Sequence, residues 1–421
     1  MAQAACDLLV HGAASVLTLD PGGAEPPSAA DLPGLPVHPG GAVAIRDGRV
    51  AAVGPEAVLR RDWRPAAELD VGGGLLAPAF VDAHTHPAFA AGRAEEFGWR
   101  LAGADYLEIG RRGGGILASV RAVRAVDEEE LTAHVADHFR RMQRHGTASC
   151  EAKSGYGLDP EAELKSLRAI RAAAEQTGMT VFPTFLGAHA VPEEHRADPD
   201  RYLELLCSEM LPEVAATGLA RAADVFIEEG AFDPARARRY LERARELGLA
   251  LRVHAEQFHC LGGAALAAEL GAESADHLEV LDDAGLEALA LGRRTFAGLL
   301  PAVPHFLRQA ADAPARRLIQ AGVPWFVATD FNPGSCYTAS LPEAAHFARV
   351  RLGLSALEAL AGVTVLAAAS LGAADRKGRI APGCDADLVV LDLPDLDHFG
   401  YGFGENPVRQ LILAGRPVPA G

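Results

Sequence analysis

An α/β fold is predicted, a (β/α)8 TIM barrel carrying a small β-sandwich made from both chain ends, and three observations predict it. Eight short apolar runs recur along the middle of the 421-residue chain. Most of them are separated by segments of helical periodicity. The first and last parts of the chain share the grammar of β-hairpins.

The N-terminal part opens with Asp7 to Val10 and Ala14 to Leu19 as β-type runs. A Pro/Gly-rich stretch from Asp20 to Gly41 then reads as a long surface loop. Ala42 to Ile45, the turn Asp47-Gly48-Arg49, and Val50 to Val53 make a hairpin pattern. The C-terminal part repeats the style with Gly378 to Ile380, Ala386 to Leu391 and Gln410 to Leu413. The expected division is residues 1–75 and 378–421 in the sandwich and 76–377 in the barrel.

The eight barrel runs are Leu76–Val81, Thr147–Ala152, Thr180–Leu186, Asp224–Ile227, Ala250–Val253, Ser274–Asp276, Thr295–Leu300 and Pro324–Ala328. Helices are expected over Glu129–Arg144, Pro160–Gln176 and Pro234–Leu247. The stretch from Pro87 to Val126 is too long for an ordinary connection. It contains Gly113-Gly114-Gly115 and is expected to form a functional insertion over the barrel mouth.

Composition narrows the function classes. About half the residues are apolar, the formal net charge is −17, and no basic run stands out. Nucleic acid and anionic membranes are therefore poor partners. Lys occurs only at 153, 165 and 377. The six Cys are scattered without a C-x-x-C, which argues against a disulfide framework or a cysteine zinc site and for a cytoplasmic protein. No signal-peptide pattern and no run of membrane-spanning length is expected.

The chemistry lies at the strand ends. Val81-Asp82-Ala83-His84-Thr85-His86 ends the first run. Residues two apart on a strand point the same way, so two imidazoles can reach one ion. An H-x-H in a chain with 15 His is weak by itself. Position strengthens it: His254 ends the fifth run, His277 the sixth and Asp330 the eighth, on the face where barrel enzymes place their chemistry. His84, His86, His254 and Asp330 are the expected metal ligands. Three imidazoles and a carboxylate suit zinc or iron rather than calcium or magnesium. An open coordination position would hold a water with a pKa near 7.

This arrangement resembles the amidohydrolase superfamily. Longer motifs resemble one family within it, the imidazolonepropionases. These include Arg93 with Glu95-Glu96-Phe97, Leu101 to Tyr106, Gly113 to Leu117, Lys153 to Leu158, Phe185 to Pro192 and His254-Ala255-Glu256-Gln257. Leu261 to Ala264, Ser274 to Leu278 and Ala328 to Ser335 complete the set. The likeness runs over essentially the whole chain.

The resemblance implies hydrolysis of 4-imidazolone-5-propanoate to N-formimino-L-glutamate in histidine degradation, with one Zn2+ or Fe3+ per subunit, and the size of the barrel leads to the expectation of a homodimer. Many dinuclear relatives use a carboxylated Lys on the fourth strand. Here that strand reads Asp224-Val225-Phe226-Ile227, which implies a single metal. Arg93, Tyr156, His189, Gln257, Asn332, Gly334 and Ser335 are the implied substrate-binding residues. Arg93 suits a bidentate clamp on the propionate. His277 and Asp330 are the implied catalytic pair, and either can relay the proton to the departing nitrogen. Some relatives carry Glu where this chain has Gln257; an amide cannot act as a base, so Gln257 is expected to hydrogen-bond substrate. Glu256 should point the other way.

Three rival readings remain at this point. A heterocycle deaminase could use the same ligands, a metal-binding scaffold would keep them without chemistry, and a structural barrel would make the polar strand ends accidental. Arg93 and the Lys153–Leu158 motif favour an anionic imidazolone over a deaminase substrate.

Overall fold

The computed structural model describes residues 3–23, 25–104 and 106–419; Asp105 of the Leu101–Tyr106 motif lies outside them. Eight parallel strands run in sequential order around one sheet: β1 (Phe80–Asp82), β2 (Thr147–Lys153), β3 (Thr180–Ala188), β4 (Ala222–Phe226), β5 (Ala250–Ala255), β6 (Ser274–His277), β7 (Phe296–Leu299) and β8 (Trp325–Val327). Closure is made just past the strand ends. A parallel bridge joins Thr85 to Phe331, His86 N donates to Phe331 O at 2.9 Å, and Asp330 N donates to His84 O at 3.1 Å. The contacts that shut the barrel therefore also set the backbone of three expected ligands.

The helices begin where their capping residues stand. Asp127, Asp159 and Asp233 accept from the backbone N–H three residues on and start Glu128–Arg144, Pro160–Thr177 and Pro234–Glu246. Pro at the first helical position of the last two needs no donor there. The 87–126 insertion is not an open loop. It holds helices Ala94–Leu101, Tyr106–Arg111 and Ile116–Ala125, with Gly113 and Gly115 at positive φ in the turn between the last two.

One expected strand divides. Leu75–Pro78 leaves the barrel and pairs with Leu388–Leu391 and Ser15–Leu17, whereas only Phe80–Asp82 of the run joins β2. Apolar content alone cannot reveal such a change of partner, because both halves are buried. The chain ends build a four-stranded sheet and a six-stranded sheet. Leu8, Val10, Val43 and Ile45 from the first meet Leu76, Leu388, Val390 and Ile412 from the second in one apolar core. Three strands escaped the sequence reading, the shortest being Arg416–Pro417 at the C-terminal edge. Trp63–Asp70 is mostly exposed at an edge, and Val37–Pro39 lies inside the Pro/Gly stretch. The described residues contain no helix long and apolar enough to cross a membrane.

His138 shows how tightly the barrel wall supports the ligand loop. Its ring stacks on Phe89 at 4.0 Å and its Nδ1 donates to Pro87 O at 2.9 Å. Burial lowers its pKa to about 4. Unfolded chain takes up that proton near pH 6.5. The group thus stabilises the fold above pH 6.5, and the contribution is lost as pH falls towards 4. Over that window the loss is roughly 3 kcal/mol. Denaturant melts of wild type and His138→Phe between pH 7 and 4 should show the steeper pH dependence in wild type; equal slopes would contradict the assignment.

Candidate active site and metal centre

Four donor atoms converge at the ends of β1, β5 and β8. His86 Nε2 lies 3.2 Å from His84 Nε2, 3.3 Å from His254 Nε2 and 3.2 Å from Asp330 Oδ1; His84 Nε2 lies 3.4 Å from the same oxygen. All four side chains are buried. For metal bonds of about 2.0–2.1 Å, tetrahedral geometry sets donors about 3.3 Å apart. The observed spacing is that of a coordination shell.

The tautomers agree. Asp276 Oδ2 accepts from His84 Nδ1 at 2.7 Å and Asp224 Oδ1 accepts from His254 Nδ1 at 3.1 Å. Both rings thereby turn an Nε2 lone pair inward, which is the arrangement carboxylates enforce on metal-binding histidines. Converging lone pairs without a cation repel, so the donor set fits a metal ion.

Electrostatics point the same way. Burial alone would raise Asp330, but the hydrogen bonds of His84 and His86 hold its carboxyl well below the usual range. Burial lowers His254 to about 3. For His84, burial and Lys153 oppose protonation, yet the Asp276 charge and hydrogen bond push the pKa up to about 9. The carboxylates around these rings thus favour a positive charge at the centre, which suits a metal ion.

A second layer of charge supports this shell and escaped the sequence reading. Lys153 at the end of β2 is fully buried and donates to Glu151 and Asp224, each at 2.7 Å. It is therefore an internal counter-ion, outside the ligand cluster, in keeping with one metal. Arg252 is also buried, and its Nη2 donates to Ala83 O at 3.0 Å beside His84. The Asp224 carboxyl, which burial would raise, is held well below its normal range by His254 and Lys153. Asp276 fits because β7 carries Gly298 opposite it; a Cβ there would come within 2.2 Å of Asp276 Oδ1. The available signal was a charged residue inside an apolar strand run, as at Asp224, Arg252 and Asp276. A buried charge needs partners, and those marked the interior of the site.

Backbone strain gathers here as well. Asp330 has φ 51°, His277 83° and Glu256 52°, all in the left-handed region. Such residues persist where the surroundings over-determine them. At His277 this breaks the alternation of β6, and neighbours Asp276 and His277 both face the centre. The His277 ring lies 5.7 Å from His84 and 5.4 Å from His254. A second possible donor group is His84, His277 and Asp330.

Above the centre is a cavity of about 470 Å³. It is lined by His86, His254, His277 and Asp330, and every expected substrate residue also borders it: Arg93, Tyr156, His189, Gln257, Asn332, Gly334 and Ser335. Only His84 is set beneath. His189 stacks on His86 at 5.3 Å, and its Nδ1 donates to Gly155 O at 2.9 Å. Burial keeps it well below its normal pKa, hence neutral, with Nε2 as an acceptor. Burial pushes the Tyr156 phenol up, so it stays a donor. The loop carrying Tyr156 is held by the buried Glu163 carboxylate, which accepts from the N–H groups of Gly155, Gly157 and Leu158.

Asn332 and Ser335 hold the loop after Asp330. Asn332 Oδ1 accepts from Gly334 N and Ser335 N at 2.8 and 2.7 Å, and Ser335 Oγ donates to Asp330 Oδ2 at 3.3 Å. A Cβ at Gly334 would fall 1.1 Å from Arg93 Nη2, so any side chain there would displace the Arg93 guanidinium. Glu256 points away from the cavity and its carboxylate accepts from Gly263 N and Ala264 N at 2.6 and 2.8 Å.

Known proteins share this architecture and sequence. The amidohydrolase family model matches residues 106–419, and a model of the bacterial imidazolonepropionase-like composite domain matches 41–66. The chain is 46% identical to an imidazolonepropionase of Rubrobacter xylanophilus, covering 98% of this chain and 99% of that one. It is likewise 46% identical to an imidazolonepropionase of Symbiobacterium thermophilum, over 98% and 97% of the two chains. Among solved structures, a zinc-bound adenosine deaminase of Xanthomonas campestris superposes with a TM-score of 0.75 at 21% identity, covering 99% of this chain and 93% of that one. The guanine deaminase of E. coli gives 0.74 at 17%, with 98% of each chain covered. At those identities the deaminases share the fold.

Proposed function

Because the chain belongs to the imidazolonepropionase family of amidohydrolases, we propose a course for its reaction from the geometry of the cavity. The enzyme is a hydrolase that opens the cyclic amide of 4-imidazolone-5-propanoate to N-formimino-L-glutamate. The observation that carries the residue assignment is the convergence of His84, His86, His254 and Asp330 on one point at the floor of a cavity walled by Arg93.

We assign those four residues as ligands of one Zn2+ or Fe3+. When bound, the ion supplies Lewis-acid activation of a water molecule and of the ring carbonyl. Asp330 accepts a proton from the attacking water as the water oxygen adds to the carbonyl carbon. His277 donates a hydrogen bond to the carbonyl oxygen where negative charge develops. The C–N bond then breaks, and Asp330 or His277 passes the proton to the departing ring nitrogen. Arg93 pairs with the propionate, Tyr156 donates to the bound substrate, and neutral His189 accepts from the ring. Gln257 hydrogen-bonds the ring, and the Asn332–Ser335 loop, with Gly334, orients substrate and product.

We further assign the protein to histidine degradation in the cytoplasm as a homodimer, and its termini, 1–78 and 378–421, to a β-sandwich domain beside a barrel whose first strand starts at Phe80.

Ultraviolet loss of imidazolonepropanoate in the presence of the protein tests the reaction; ammonia release from a purine or pyrimidine instead would overturn it. Gln257→Ala should raise KM by roughly tenfold for the lost hydrogen bonds, with kcat changed less. Abolished turnover at unaltered substrate affinity would make Gln257 part of the proton chemistry.

A further inference from the structure

On the side of the pocket formed by helix Ala94–Leu101, two guanidinium groups face a single carboxylate. Arg93 and Arg100 stand at the two ends of helix Ala94–Leu101, and both line the cavity. Glu96 lies between them and is buried. Its Oε1 is committed to Gly115 N at 2.9 Å and is 3.8 Å from Arg93 Nε, which is buried without a hydrogen-bond partner. Arg100 Nη1 donates to the Gly334 carbonyl at 3.3 Å, and among the described residues it takes part in no ion pair. Two guanidinium groups thus share one carboxylate that is already bound elsewhere. The remaining acids of the lining are engaged elsewhere: Glu228 accepts from His259 and from two backbone amides, Glu229 lies 3.6 Å from His259, and Asp330 contacts His84 and His86. Burial, and then the charge of Arg93, push the Arg100 guanidinium's pKa down, the mark of a cation lacking its counter-ion.

We propose that Arg100 is a second carboxylate-recognition residue, acting beside Arg93 to select ring substrates with an anionic tail. The inference rests on the reading of the site given above. Gly334 joins the two: the Arg93 guanidinium fills the space where its side chain would be, and its carbonyl receives Arg100. A carboxylate entering between them is met by two planar forks rather than one. Through Gly334, Asn332 and Ser335, the same contact leads to Asp330, so the tail and the reacting ring are held on one connected segment.

The test compares Arg100→Gln with wild type on two substrates, 4-imidazolone-5-propanoate and an imidazolone with an uncharged tail of equal length. We expect KM for the anionic substrate to rise about tenfold or more, with kcat falling much less, while KM for the neutral one moves less than twofold. Calorimetric binding of imidazole-4-propanoate should weaken by a similar factor, and Arg100→Lys should restore part of the loss. A purely structural role would shift both substrates together, and that result overturns the proposal, as does an unaltered preference for the anionic tail. If Arg100→Gln fails to fold, Arg100→Lys decides by the same ratio. Wild type that opens neither ring would overturn the family reading itself, a separate outcome from loss of the Arg100 effect alone.

Discussion

His254→Ala abolishes metal binding and lowers kcat/KM by on the order of 10³-fold or more. The removed Nε2 lies 3.3 Å from His86 Nε2, which itself lies 3.2 Å from both His84 Nε2 and Asp330 Oδ1 in a buried centre. Lewis-acid activation is worth several kcal/mol, at about 1.4 kcal/mol per tenfold in rate. The truncation also leaves the Asp224 carboxylate without His254 as its partner beside Lys153. Metal content per subunit after gentle purification, measured with turnover, checks both parts. A His254→Ala protein that retains stoichiometric metal and more than a tenth of the activity would remove His254 from the ligand set. Asp224→Asn gives a graded comparison: the ring loses a carboxylate partner but keeps its place, and a loss of about 10- to 100-fold in affinity or activity follows.

The second large effect separates binding of metal from use of it. His277→Asn lowers kcat by about 10²- to 10³-fold, the usual cost of removing one stabiliser of a developing oxyanion. Metal content should stay close to that of wild type. His277 also belongs to a possible donor group with His84 and Asp330, so the experiment has a definite alternative result. If His277→Asn loses metal as completely as His254→Ala, His277 is a ligand, and Asp330 becomes the remaining candidate for the proton. Asp330→Asn should lose both metal and turnover, because its Oδ1 contacts His84 and His86 and its carboxylate is the proposed proton acceptor.

Much of this site was legible along the chain. His84, His86, His254, His277 and Asp330 each end a short apolar run, and a parallel barrel brings such ends to one face. Helix starts were legible for a local reason too: Asp127, Asp159 and Asp233 cap through their own next turn. The resemblance of long motifs supplied Arg93, Tyr156, His189, Gln257, Asn332, Gly334 and Ser335, and all of them border the cavity.

The supporting layer was not legible, because its partners are far apart in sequence. His84 and Asp276 are 192 residues apart, and Arg252 reaches a carbonyl 169 residues away. Periodicity and turn chemistry report on neighbours within a turn or a strand. They cannot say which carboxylate a buried imidazole will meet, nor that Leu75–Pro78 and Phe80–Asp82 take different partners. By itself, then, the sequence determined the kind of fold and the strand ends that carry metal-compatible side chains, since those follow from local pattern. Tertiary structure alone decided the tautomers, the internal pairing of Lys153 and the meeting of Arg100 with Gly334, since only closure of the barrel brings those atoms within hydrogen-bond range.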